Sequence, residues 1–211
     1  MRLCSIINYA FNYVIHASKL FNIDESHALR HSMDVYQFAN QIYTDEVIKY
    51  PYLEQQKDII MCSAILHDMC DKKYVNQQHG IETMNQYLAP HIKEKDLSVI
   101  NQIISTMSYS TVKKQGYPQL HPYDKAYHIV READLLAAYD VERCIIYQMM
   151  HENTAYVDSL QDAQCLFDIR VFTYLKDNLF TLDYSKKQAR ILHKKSKLKM
   201  KELSELYDIL S

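Results

Sequence analysis

Two glycines in 211 residues, where ordinary usage gives roughly 15, constrain this chain more than any other feature of its sequence. Glycine-rich phosphate loops, dinucleotide-binding turns and most tight hairpins need backbone conformations that glycine supplies, so all three are almost excluded. Only four prolines interrupt the chain, which points to an all-α protein. An apolar share of 48% over this length suffices for one buried core, in one or at most two domains. A mean hydropathy of -0.33 leaves no run long enough to cross a bilayer, so no membrane partner is expected. The net charge of -2 excludes a histone-like polycation. Cys4, Cys62, Cys70, Cys144 and Cys165 form an odd set without a C-x-x-C pair, which argues against a disulfide framework and a zinc knuckle. A reducing, cytoplasmic setting is the expectation.

The apolar positions Leu3, Ile6, Ile7, Ala10, Phe11 and Val14 repeat with helical period, so the first twenty residues read as an amphipathic helix, with a signal peptide as the minor alternative. Asp24 is the expected N-cap of a helix running to about Tyr43, with His27 at its third position. Pro51 restarts the chain, and Glu54 to His67 is apolar almost all round, the pattern of a central, buried helix. Helices are expected over Gln78–Leu88 and Glu94–Met107, separated by Pro90. A polar, exposed loop with Lys113, Lys114, Gly116 and Pro118 follows. Pro122 fits the first turn of a helix through Asp140, and helical period resumes over Val141–His151, Leu160–Leu179 and Lys186–Leu210. The expectation is one helical bundle of roughly eight to ten helices spanning residues 1–211.

Polar residues fall where this bundle needs apolar ones. His31 lies on the stripe of Ala28, Val35, Phe38, Ala39 and Ile42, with His27 one turn before it. Asp134 shares a face with Ala126, Val130, Ala137 and Val141, where a lone carboxylate is costly. His67 and Asp68 stand side by side where the most apolar helix stops. A divalent cation explains two inward imidazoles and two inward carboxylates economically. Taken one at a time, each histidine also reads as a hydrogen-bonded core residue, and Asp134 as the ion-pair partner of Arg131 or Arg143.

The order His31, His67-Asp68, Asp134, carried on the strings SHALRH, AILHDMCDKKY and IVREADLLAAYD, resembles the HD-domain metal-dependent phosphohydrolases. Within that superfamily it is most similar to the small nucleotide pyrophosphohydrolase-like branch. The likeness runs from about Asp24 to Tyr139, with a weaker one through Phe172 to Leu206. It implies an HD-type bundle, with a metal-site core over about 24–140 and helices of 141–211 packed on it. It also implies His31, His67, Asp68 and Asp134 as ligands of a divalent metal, Mn or Mg ahead of Fe, Co, Ni or Zn. Asp68, Asp71 and His27 are the implied catalytic residues. By position His27 would orient a phosphate or a metal-held water, and Asp71 would position the water, although Asp71 reads equally well as a helix-end carboxylate. Arg30, Lys72, Lys113 and Lys114 are the cations offered to a polyphosphate; the Lys72-Lys73 pair also reads as a solvated turn. Two positions depart from the branch. Cys70 stands where relatives often have glycine, and Ala137 where they often repeat an aspartate.

The implied activity is hydrolysis of a nucleotide or related phosphorylated small molecule, a metal-activated water attacking phosphorus. The departures at Cys70 and Ala137 motivate an alternative, a nucleotide- or metal-binding sensor or scaffold without turnover. A third reading is nucleic-acid binding through Lys186, Lys187, Arg190, Lys194, Lys195, Lys197, Lys199 and Lys201. The near-neutral whole chain argues against it, and such a stretch usually means a solvated helix face. A homo-oligomer is compatible with all three.

Overall fold

The structure is a computed structural model that describes residues 3–210, with side chains described for 6–205. Leu3 and Cys4 therefore lie outside the described side chains. The described residues form ten α-helices: α1 Leu3–Leu20, α2 Leu29–Lys49, α3 Lys57–Leu66, α4 Gln77–Leu88, α5 Glu94–Thr106, α6 Tyr109–Gln115, α7 Asp124–Ala137, α8 Val141–His151, α9 Tyr156–Ile169 and α10 Asp183–Leu210. Two short 3-10 turns, Pro51–Gln56 and Val171–Thr173, complete the regular structure, and no strand occurs among the described residues. The all-α bundle expected from glycine scarcity is what the chain adopts. Where the backbone must turn left-handed it uses Asn22, Asn153 and Asn178, the residue type that tolerates this conformation best after glycine.

α3 is the hub. Every residue from Ile59 to Leu66 is buried, and the helix packs against α1, α2, α5 and α7. α2 and α7 lie against each other along their length, so the polar residues on their inner faces meet at the C-terminal end of α3. α8 and α9 form a second layer beside this core, and α10 closes the bundle over α7, α8, α9 and α2. Glu132 ties that closure together. Fully buried on α7, it accepts hydrogen bonds from the Thr181 amide, the Thr181 hydroxyl and the Leu182 amide, which are orphan donors at the approach to α10. Its neighbour Arg131 donates to the Leu179 carbonyl and lies over the Tyr117 ring.

Several boundaries differ from the sequence expectation. Asp24 does not cap α2: the helix starts at Leu29, five residues later, and His27 sits in the preceding turn rather than inside the helix. α2 also runs on to Lys49, past Tyr43, with Glu46 buried in its last turns. The expected loop around Lys113 is a seven-residue helix, α6, opened by the Ser108 side chain accepting from the Thr111 amide. Gly116 closes it at φ +76°, a conformation that suits glycine. Pro122 precedes α7 instead of lying in its first turn, and the Leu160–Leu179 segment divides into the end of α9 and the 3-10 turn.

Candidate metal centre and its pocket

His31, in the first turn of α2, and His67, just past the end of α3, bring their Nε2 atoms to 3.1 Å from each other, with both residues buried. One oxygen of Asp68 is 3.3 Å from each of these nitrogens. One oxygen of Asp134, from α7, is 3.4 Å from His31 and 3.5 Å from His67. Three helices thus bring two imidazoles and two carboxylates together; donor atoms of His31, His67 and Asp134 lie within 4.8 Å of one another, a group that Asp68, close to both imidazoles, does not join. His67 Nδ1 is 3.0 Å from the Ala64 carbonyl, which can only accept, so Nδ1 carries the hydrogen. Nε2 is then the atom left to hold a proton or a cation.

The electrostatics describe a site whose two acids are balanced by one proton and one guanidinium. Burial pushes His31 down, helped by the nearby Arg143, to about 4. Burial also acts to lower His67, but the adjacent carboxylates Asp68 and Asp134 outweigh it and raise the imidazole to about 10. Burial opposes ionisation of both carboxylates, yet the imidazoles hold Asp68 and Asp134 well below the usual carboxylate range. Two ionised acids therefore share one imidazolium, with Arg143 Nη2 at 3.4 Å from Asp68 as the other cationic neighbour. Two nitrogen and two carboxylate donors fit a hard or borderline divalent cation, which would take the place of the His67 proton and leave both imidazoles neutral.

His67, Asp68 and Asp134 line a pocket of about 750 Å³ between the turn after α3, α6, α7, α8 and the α9 end, while His31 is buried out of that lining. Of the expected cations, Lys72 and Lys114 line it. Arg30 and Lys113 do not: Arg30 is almost wholly solvated and pairs with Asp34 one turn along α2, and Lys113 folds over the Tyr109 ring. Lys73, Arg143 and Arg170 take their places on the wall. Arg143 was legible only as a partner for Asp134. The Asp140 side chain caps α8 at the Glu142 and Arg143 amides, which sets Arg143 in the first turn, from where it reaches Asp68 and the Ser26 carbonyl. Arg170 donates to the Tyr174 hydroxyl and lies over the Tyr109 ring, 4.4 Å from its centre. Its sequence signal is absent, because it follows α9 in an irregular segment.

Asp71 lines the pocket and closes a turn, one oxygen accepting from the Lys73 amide at 2.9 Å. Cys70 is buried below it, and Gly80 of α4 lets that helix approach: a β-carbon at Gly80 would stand 3.2 Å from the Cys70 α-carbon. Ala137, the other departure, faces a separate shallow hollow away from the cluster. His27 borders the pocket but aims past the cluster. Its ring is 6.2 Å from that of His31, and burial, the largest influence, holds it well below its ordinary pKa.

No family model and no curated protein matches this chain. Its fold is similar to the crystal structure of a Lactobacillus plantarum protein solved as a structural-genomics target, at a TM-score of 0.68 and 16% identity over 97% of this chain and 98% of that one. That likeness concerns the fold alone.

Proposed function

We propose that the protein is a metal-dependent phosphohydrolase of the HD type acting on a nucleotide or related phosphorylated small molecule. The observation that carries the reading is the convergence of His31, His67, Asp68 and Asp134, the last three of which line a cation-rich pocket. A divalent cation held by these four side chains would supply charge neutralisation and an activated water for a phosphate ester. Lys72, Lys73, Lys114, Arg143 and Arg170 outnumber the acids Asp68, Asp71 and Asp134 along the wall, a balance suited to an anionic ligand. Arg143, whose Nη2 is 3.4 Å from Asp68, can bind a phosphoryl oxygen. Asp71 lines the pocket, and the oxygen that does not accept from the Lys73 amide would serve to position a water.

Elemental analysis of purified protein, followed by a screen of nucleoside mono-, di- and triphosphates and cyclic nucleotides with the metal restored, tests this. Turnover that disappears in Asp68→Ala supports it. Fully metallated protein that cleaves none of them contradicts it, and tight nucleotide binding without product turns the reading to a sensor.

A further inference from the structure

Beside the cluster lies a second set of polar residues whose hydrogen-bond directions are fixed by their chemistry. Lys73 Nζ is 3.2 Å from His27 Nε2, and an ammonium only donates, so Nε2 accepts and the His27 proton sits on Nδ1. Nδ1 lies 2.6 Å from the Ser26 hydroxyl and 3.0 Å from the Tyr74 hydroxyl. Both hydroxyls spend their own protons on Asp24, Tyr74 at 2.6 Å and Ser26 at 2.5 Å, so both are left to accept from His27. Asp24, which does not cap α2, thus fixes the tautomer of His27 through two hydroxyls, and His27 turns its lone pair on Lys73. The Tyr147 ring, 5.1 Å from Nζ, covers the ammonium on another side. Asp71 stands 4.0 Å away.

We infer that Lys73 is a preorganised anion-binding residue of this pocket and that His27 is its positioning residue, neither a metal ligand nor a general base. A lysine on a solvated turn would lose four side-chain torsions on gripping a phosphate. One already held by a neutral acceptor and an aromatic face pays little of that entropy at binding. The ammonium retains donors beyond the one given to His27, and it lines the same pocket as Arg143. The ligand class is a phosphoryl or polyphosphoryl group; the placement of that group beside a metal rests on the function proposed above.

The test compares the full chain with Lys73→Ala, His27→Ala, His27→Gln and the Lys73→Ala/His27→Ala double variant, each with Mn²⁺ and after chelator treatment. Thermal melts check folding. The readouts are Mn²⁺ content and calorimetric affinity for inorganic pyrophosphate. Affinity falls about tenfold in Lys73→Ala and nearly as far in His27→Ala. His27→Gln, whose carbonyl oxygen can stand in for Nε2, recovers to within about threefold, and the double variant is no weaker than Lys73→Ala. Mn²⁺ content is the same in all five. Additive losses, a His27→Gln no better than His27→Ala, or loss of Mn²⁺ in His27→Ala would overturn the inference. A parent chain that takes up no Mn²⁺ while the pyrophosphate losses persist in chelated protein defeats the metal reading and upholds the lysine clamp.

Discussion

At the scale of single residues, the cluster is a proton site, and on the proposed reading a divalent cation would replace the proton. His67, raised to about 10 from an ordinary 6.5, gives metal-free protein stability that is complete below about pH 6.5 and lost as pH rises toward 10. His31, lowered to about 4, works in the other direction: the unfolded chain takes up its proton first, so stability falls as pH drops from 6.5 toward 4. Thermal melts of chelated protein should therefore show a maximum Tm near neutral pH with losses on both sides. Binding of a divalent cation at pH 7.5 should release about one proton per ion, read by calorimetry in buffers of differing ionisation enthalpy. Equal heats in all buffers would contradict this. His31 and Asp134 were legible because each interrupts an apolar stripe of helical period. Lys73 was not, because nothing local separates a lysine pinned by a residue 46 positions earlier from one in water.

At the scale of elements, the long apolar helices could be read from periodicity, and their ends could not. α3 declared itself through an unbroken buried run, whereas α6, with Thr111 and Val112 among polar residues, has no apolar period and is set by its caps Ser108 and Gly116. Asp24 preceded a helical pattern and so suggested a cap, but its carboxylate is taken by Ser26 and Tyr74, a contact 50 residues away. Two substitutions test how elements hold the site. Gly80→Ala improves helix propensity by about 1 kcal/mol, yet places a methyl against the Cys70 backbone, where over-packing costs roughly 1–3 kcal/mol. A lower Tm is expected, with weaker metal binding because the same turn carries Asp68; a raised Tm would show that α4 yields freely. Glu132→Ala strands three donors at the start of α10 and should cost about 3 kcal/mol, measured by urea unfolding.

At the scale of the molecule, charge is segregated. The chain is near neutral, but Lys186 to Lys201 carries eight cations and no acid, and these face outward from α10, none of them lining the pocket. Lys199 pairs with Glu142 of α8 at 2.8 Å, and the buried face of the helix is Ser185, Ala189, Ser196 and Met200. Lys194→Glu with Lys195→Glu should therefore leave metal uptake unchanged. No described helix is long and apolar enough to cross a membrane. The proposed function turns on whether His31, His67, Asp68 and Asp134 hold one ion. Calorimetric titration of chelated protein with Mn²⁺, beside the Asp134→Ala variant, measures that most directly. One ion per parent chain and affinity weakened by about 100-fold or more in the variant is the expected result. A parent chain that binds none, or a variant that binds as tightly, would contradict it.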